Sequence, residues 1–252
     1  MEKVVPNTAP SQDEPLASDP IIEAMFKAGA HFGYAKSRRH PTVAPYIFGM
    51  KNRVEIFDLE KTKTKLGDAQ KFIASVAAGG GVLLFVGGKV EAREAIERNA
   101  KNLTLPFVAG RWIGGTFTNF NVIRTRVERL ESLLASRDKG ELSKYTKKER
   151  ILIDRDIANL ERFFGGLALL KSLPKAVFIV DPRQEKTAVS EAKKRKIPIV
   201  ALAGSDCDLN GIDYPIPAND SARGSITFFV DQIARAYEEG KKETQISNSS
   251  NA

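Results

Sequence analysis

The sequence predicts an α/β protein with a doubly wound, mainly parallel β-sheet, helices on both faces, and an inserted antiparallel helical hairpin of coiled-coil type. Three observations predict this class. Short apolar runs of the buried-strand type recur at residues 82–86, 176–180 and 198–202. Amphipathic segments separate them, and strands that alternate with helices form covered parallel sheets. Between the first two runs, two segments instead carry apolar residues at spacings of 4 and 3, a heptad-like seam.

The chain before the first buried strand is mixed. Asp19 is a good N-cap ahead of Pro20, and the first helix is predicted to end at Gly29. Residues 27–53 contain six Lys or Arg and no acidic residue, with prolines that favour loops. Short strands are predicted at 46–48 and 54–57, joined by a hairpin connection at 49–53.

Helices and strands then alternate on either side of the insertion. Helices are predicted at 59–78 and 91–102, with a short strand at 106–108. The seam residues are Ile123, Val127, Leu130 and Leu134, followed by Ile153, Ile157, Leu160, Phe164 and Leu167. After them we predict helices at 184–196 and 221–239 and a short strand at 212–215.

These elements divide the chain into four parts. Residues 1–18 and 241–252 are polar and predicted to be flexible tails. Residues 19–118 and 169–240 form the predicted α/β domain. Residues 119–168 form the predicted helical hairpin, because two amphipathic helices with a short connection pack antiparallel.

Composition narrows the classes of protein. The chain has 252 residues, with 39 Lys or Arg against 31 Asp or Glu and a net charge of +8. A single cysteine excludes an intrachain disulfide framework. No stretch resembles a signal peptide or a transmembrane helix, so we expect a cytosolic protein with no membrane partner. The basic balance suggests an anionic partner, most commonly nucleic acid, but from charge alone a basic and otherwise ordinary enzyme is an equally open alternative.

The motifs typical of enzymes are incomplete. Gly87-Gly88-Lys89 follows a strand, but the rest of a nucleotide-binding phosphate loop is missing, and a tight strand-to-helix turn is the simpler interpretation. The sequence has no G-x-S-x-G elbow. Asp206, Asp208 and Asp213 indicate a polar loop at a strand end rather than a metal site. Cys207 has no neighbouring histidine, and His31 at a helix end suggests a structural role.

Two basic loop clusters are more informative. Lys and Arg pair with phosphates, whereas aromatic rings and Arg planes stack on unpaired bases. The first cluster includes Lys36, Arg38 and Arg39, with aromatic residues nearby. The second, at 111–119, places Trp112 beside Arg111 and two glycines. Residues 100–172 hold 14 Lys or Arg against 8 Asp or Glu. RNA contact is the favoured interpretation of both loops, and a solvated surface is the alternative, equally open for the hairpin faces.

Several stretches match one known family in the order in which that family has them. They are 28–33, 45–49, 58–62, 85–87, 111–119, 163–166, 174–181, 191–192, 197–198 and 214–220. The most specific are Arg-Trp-Ile-Gly-Gly at 111–115 and Tyr-Pro-Ile-Pro-Ala-Asn-Asp at 214–220. Through them the chain resembles the universal small-subunit ribosomal protein two, the S-two family, in its bacterial form. The resemblance extends from about residue 20 to 240.

The resemblance implies a non-catalytic function. Members bind small-subunit ribosomal RNA near the junction of head and body, lie beside other small-subunit proteins, and help to recruit ribosomal protein S-one. It also implies a doubly wound domain with a protruding hairpin and a chain that is not a homo-oligomer. The residues that we predict to contact RNA are Lys36, Arg38, Arg39, His40, Lys51, Arg53, Arg111, Trp112, Asn119 and Arg124. For Trp112 the alternative is that it holds the base of the hairpin against the sheet.

The chain departs from the bacterial pattern at three places. Tyr34 stands where many members have His, Arg39-His40-Pro41 where they often have Trp-Asn-Pro, and Gly204-Ser205-Asp206 where Asp-Thr-Asn/Asp is common. Some members hold a metal ion through such His and Asp groups. Since position 34 lacks that His, we predict no tight structural metal. We also expect no cofactor.

Three hypotheses follow. The first is a structural ribosomal protein without chemistry of its own. The second is an enzyme that binds a nucleotide or sugar phosphate at Gly87-Gly88-Lys89. The third is an adaptor that works away from the ribosome through the helical hairpin.

Overall fold

The computed structural model describes residues 19–249, in which eight β-strands and seven α-helices form two sheets and their covering layers. The strands are β1 Phe32–Ala35, β2 Ile47–Lys51, β3 Val54–Phe57, β4 Leu83–Val86, β5 Phe107–Val108, β6 Ala176–Val180, β7 Ile199–Ala203 and β8 Tyr214–Pro217. The helices are α1 Pro20–Lys27, α2 Leu59–Ala78, α3 Val90–Leu103, α4 Phe120–Asp138, α5 Lys147–Phe164, α6 Lys186–Arg195 and α7 Arg223–Ser249. The predicted tail at 1–18 lies outside the described residues.

The main sheet has five parallel strands in the order β5-β4-β6-β7-β8. Strand order reverses at β4 and β6, because β5 lies on one side of β4 and the remaining strands on the other. In open sheets of this kind, ligands bind beyond the carboxyl ends of the strands at such a switch point. The predicted α/β class with a parallel sheet is confirmed.

Alternate residues of each strand enter two separate cores. Phe85 and Phe178 pack edge to face in the core beneath α2, α3 and α7. Their neighbours Leu84 and Val177 face the core that includes α6 and the start of α4. Burial on both faces explains why these strands are continuous apolar runs.

A smaller antiparallel sheet, with the order β1-β3-β2, packs beside the second core through Phe57. The sequence did not predict β1. The predicted connection at 49–53 is also shorter than expected, since β2 continues to Lys51 and only two residues turn the chain. Asn52 and Arg53 both have positive φ, 50° and 65°, the conformation that two-residue hairpin turns require.

The last helix is the clearest difference at the chain end. It was predicted to end at Glu239 and to be followed by a flexible tail from Lys241, but α7 continues to Ser249. Adding a residue to an existing helix is far easier than nucleating a new one, so a polar continuation extends it. Helix α7 thus includes residues 241–249 of the predicted tail, and residues 250–252 lie outside the described residues.

Helices α4 and α5 contact each other through a small apolar cluster. Leu130, Ile157 and Leu160 are buried there, and Arg129 pairs with Asp156 at 2.6 Å. A capping box at Thr146 and Glu149 begins α5. No helix within residues 19–249 has the length and apolar character needed to cross a membrane.

Candidate nucleic-acid interface

An open groove of about 920 Å³ lies between the loop after β1 and the outer side of α6. We call it the basic groove. Six of its side chains are cationic: Arg38, Arg39, Arg183, Lys186, Lys193 and Lys194. Only two carboxylates, Asp206 and Asp208, also line it. The remaining lining residues are Ser37, His40, Pro182, Val189, Ser190 and Asn210.

The basic groove unites predicted and unpredicted residues. Arg38, Arg39 and His40 were predicted from the first loop cluster. The four cations from the segment after β6 were missed as site residues, although the run Lys193-Lys194-Arg195-Lys196 is visible in the sequence. Lys36 is exposed on the same loop but is not among the residues that line the groove.

Asp206 organises the floor of the groove. Its Oδ2 lies 3.0 Å from Nη2 of Arg38 and also pairs with Nη1 of Arg183, so one carboxylate holds an arginine from each wall. Arg38 also lies 4.2 Å above the ring of Tyr34. The two guanidinium groups are thus fixed before any ligand arrives, which reduces the entropy that binding costs.

Two loops are tied together beneath these charges. The backbone N–H of Tyr34 donates to Oγ of Ser205 at 2.8 Å, and that of His40 donates to the Ser205 carbonyl at 2.8 Å. Nδ1 of His40 lies 2.8 Å from Oγ1 of Thr42 and 3.7 Å from Asp208. The groove is therefore a shaped surface rather than a set of unrelated loops.

Arg39 has a different environment from Arg38. Its guanidinium lies 3.1 Å from Oε1 of Glu55, whose side chain is only 2% exposed. No other hydrogen-bond partner reaches Oε2 of Glu55 within the described residues. Arg39 thus neutralises a buried carboxylate in addition to lining the groove.

Arg39→Ala should therefore lower the free energy of unfolding by about 3 kcal/mol, because an unpaired buried charge is left behind. Arg38→Ala is the matched control, since Asp206 keeps Arg183 as a partner. We expect the control to cost less than about 1 kcal/mol. Urea unfolding of both variants at pH 7 measures the difference, and equal losses would contradict the structural role of Arg39.

Lys51 and Arg53 lie away from the basic groove, at the β2–β3 turn. Beside them is an exposed apolar patch formed by Phe26, Phe32, Phe48 and Met50, with Phe48 81% exposed. The patch surrounds a concavity of about 750 Å³. His31 lies under it, stacked on Phe26 at 4.3 Å, and burial lowers the pKa of its imidazole. An apolar surface of this kind is typical of protein–protein contacts.

The second predicted cluster has its own arrangement. Arg111 and Asn119 are exposed, and Asn119 is the N-cap residue of α4. Trp112 is only 7% exposed and packs on Phe117, which favours the structural alternative for this residue, and its contact with RNA stays a prediction. Arg124 bonds to Glu128 and to the carbonyl of Ala168, which ties α4 to the segment after α5.

The switch point holds a closed polar cluster. Nζ of Lys89 lies 2.7 Å from Asp181 and 3.4 Å from Asp220, and all three side chains are largely buried. Burial raises the pKa of Asp220, with Lys89 acting in the opposite direction. The backbone N–H of Gly88 donates to Glu185 at 3.0 Å. Protein carboxylates therefore occupy the position that a phosphate would need, which favours the tight-turn interpretation.

The acidic residues singled out in the sequence separate in space. Asp206 lines the groove, Asp208 faces His40, and Asp213 accepts from the backbone N–H of Ile199 at 2.8 Å. Within residues 19–249, the group with metal-ligand spacing is instead Asp181, Cys207 and Asp220. Burial and nearby carboxylates raise the pKa of the Cys207 thiol, and both aspartates already pair with Lys89. This arrangement disfavours a thiolate–metal bond.

Comparison with known proteins identifies the family of this chain. Residues 25–240 match the family described as "Ribosomal protein S2". The chain is 43% identical over 232 residues to "Small ribosomal subunit protein uS2" of Rhodopirellula baltica, covering 92% of this chain and 89% of that one. It is 42% identical over 226 residues to the protein of the same name from Chloroflexus aurantiacus, covering 90% and 95%. The chain therefore belongs to the ribosomal protein S2 family, whose members are structural proteins and not enzymes.

Proposed function

We propose that this protein is a structural constituent of the small subunit of the cytoplasmic ribosome and binds small-subunit ribosomal RNA through the basic groove. The observation that carries the proposal is the convergence of six cations from two chain segments on one groove. Two of the arginines are held by one carboxylate, Asp206. Phosphate contacts position a protein on RNA, and preset guanidinium groups suit them.

The α4–α5 pair is the second part of this proposal. We assign residues 119–168 as an inserted antiparallel hairpin that protrudes from the domain formed by 19–118 and 169–240. The cluster around Leu130 and Ile157 supports the assignment. Basic residues on α4 and α5 then widen the surface that neighbouring RNA and small-subunit proteins can contact.

The exposed apolar patch supports a protein partner. We propose that ribosomal protein S-one docks there and that this chain acts as a single copy rather than a homo-oligomer. His31 precedes β1 in the sequence, and in space it lines the same concavity as Phe48 and Met50. Apolar anchors suit a protein, whereas the basic groove suits RNA.

Phe48→Ser should remove the largest exposed anchor of the patch. We expect at least a tenfold loss of S-one affinity, since central aromatic anchors carry about 2 kcal/mol or more. Purified S-one and the full chain, compared by calorimetry, measure this. RNA binding should be unchanged, and an unchanged S-one affinity would rule out the patch as the docking site.

Sedimentation of tagged full-length protein from a native lysate tests the ribosomal assignment. Co-migration with small subunits and whole ribosomes, at about one copy per small subunit, is the expected result. RNase treatment should release the protein because it destroys the RNA. High salt should release it because counterions weaken phosphate contacts. Sedimentation only as free protein would overturn the proposal and favour the adaptor hypothesis.

A further inference from the structure

The loop between β5 and α4 contains no regular strand or helix, yet it is firmly held by one carboxylate. Oε1 of Glu191 on α6 accepts from the backbone N–H of Gly115 at 2.7 Å and from Nε1 of Trp112 at 3.3 Å. Oε2 accepts from the backbone N–H groups of Phe117 at 2.9 Å and Thr118 at 3.1 Å, and from Oγ1 of Thr118. The carboxylate fills a nest of donors.

A second residue of α6 holds the same loop from its carbonyl side. Nε of Arg195 donates to the Phe117 carbonyl at 2.9 Å, and Nη2 donates to that of Thr118 at 2.6 Å. Glu191 and Arg195 are four residues apart and lie on one side of the helix. Together they satisfy both donors and acceptors of the loop, so its shape depends on α6.

The loop and the groove are thereby linked through one helix. The loop begins beside exposed Arg111 and ends at exposed Asn119, where α4 starts. Other residues of α6, Lys186, Lys193 and Lys194, line the basic groove. A residue on the loop can contact the same RNA as the groove only if Glu191 and Arg195 keep the loop in a fixed position relative to α6.

We propose that Glu191 and Arg195 are positioning residues for RNA binding, which hold the 111–119 loop in the conformation that presents Arg111 and Asn119 alongside the basic groove. This inference rests on the proposed function. Neither side chain needs to touch RNA for the effect.

The hydrogen bonds of Glu191 require an ionised carboxylate. Each of its oxygens accepts at least two hydrogen bonds, so an amide at this position presents an NH₂ group to N–H donors. Burial alone raises the pKa of Glu191, but the hydrogen bonds from Gly115, Phe117 and Thr118 outweigh it and the net pKa is lowered. The group is therefore ionised in the native loop at neutral pH.

Glu191→Gln in the full chain is the decisive variant. Removing a negative charge beside a basic surface strengthens RNA binding by electrostatics alone, whereas loss of positioning weakens it. We expect about tenfold weaker binding to small ribosomal subunits that lack this protein, the effect of losing one to two strong hydrogen bonds. Trp112 is the chain's single tryptophan, so its emission reports the loop directly and should shift to the red.

Glu185→Gln is the matched control. Glu185 is also a buried carboxylate at α6, but within residues 19–249 its side chain accepts one hydrogen bond, from Gly88, which an amide oxygen can accept equally. We expect unchanged Trp112 emission and RNA affinity within about twofold of the wild type. If Glu191→Gln fails to fold by circular dichroism, Arg195→Lys keeps the charge, loses the paired carbonyl contacts, and should weaken binding in the same way.

The outcomes separate the two claims. Wild-type binding together with undiminished binding by folded Glu191→Gln, or unchanged Trp112 emission, would overturn the positioning role and leave the proposed function intact. If the wild type itself fails to bind the depleted subunits, the proposed function is overturned, and the positioning role with it. Weaker binding with a red-shifted Trp112 supports the proposal.

Discussion

Lys89→Met is expected to lower the free energy of unfolding by about 4 kcal/mol, because removing one partner leaves buried carboxylates uncompensated. The ammonium group of Lys89 lies between Asp181 and Asp220, whose side chains are 11% and 1% exposed. Its Nζ also donates to the Asp220 carbonyl at 2.8 Å. Methionine preserves the length of the side chain, so packing is disturbed less than charge balance.

The pH dependence gives this result a distinct signature. Asp220 already has a raised pKa in the folded protein, and losing Lys89 raises it further. When the pKa of an acid is higher in the folded than in the unfolded state, the folded state binds more protons between the two values. The free energy of unfolding therefore rises as pH falls from the folded-state pKa towards 3.8. The deficit of Lys89→Met should therefore be smaller at pH 5 than at pH 8. In the wild type, burial lowers the pKa of Lys89 and the carboxylates raise it, with a net rise above 10.5. The contribution of Lys89 to the free energy of unfolding is therefore lost only as pH rises through the folded-state pKa.

Urea unfolding at the two pH values measures this deficit. Lys101→Met is the control, since Lys101 forms an exposed i,i+4 pair with Glu97 and should cost less than about 0.5 kcal/mol. A deficit of similar size in both variants, or one that does not change with pH, would contradict the buried-cluster account.

Lys186→Glu combined with Lys194→Glu is expected to weaken binding to protein-depleted small subunits by a factor on the order of 100 at 0.15 M salt. Both lysines line the basic groove, and neither forms an ion pair within residues 19–249. Loss of two phosphate contacts should also flatten the plot of log affinity against log salt by about 1.5, at 0.7–0.9 per contact. Fluorescence titrations from 50 to 300 mM salt provide both quantities.

The matched control carries the same charge change elsewhere. Lys71→Glu with Lys175→Glu alters two exposed lysines near the amino ends of the strands, away from the groove. Charges farther than a Debye length of about 8 Å are screened, so we expect less than a threefold effect. Equal losses in the two double variants would mean that net charge, rather than the groove, drives binding. Arg39 is left out of the design because Glu55 depends on it.

Local patterns were sufficient for most of the fold. The apolar runs at β4, β6 and β7 and the cap at Asp19 mark elements within a residue or two of their observed bounds. Strand β1 was missed because its stability comes from pairing with β3, a contact between residues about twenty positions apart. The β2–β3 turn was misjudged because Asn52-Arg53 lacks the glycine that usually signals two positive φ values.

Only some residues of the basic groove could be predicted from the sequence. Loop basicity was sufficient to single out Arg38, Arg39 and His40. The sequence did not predict the direction of each side chain. Arg39 turns towards Glu55, and Trp112 turns towards Glu191. Lys186 and Lys194 join the groove because the β6–α6 connection places that helix beside the loop after β1.

The α/β class, the family and the basic character of the surface follow from hydrophobic period, motif spacing and charge count along the chain. Which charges act together depends on how the strands and helices pack. Asp206 joins Arg38 to Arg183, Lys89 is enclosed by Asp181 and Asp220, and Glu191 holds a loop more than seventy residues away in sequence. Electrostatic and hydrogen-bond energies depend on distances of a few ångströms and on burial, and neither is defined until the strands and helices have packed.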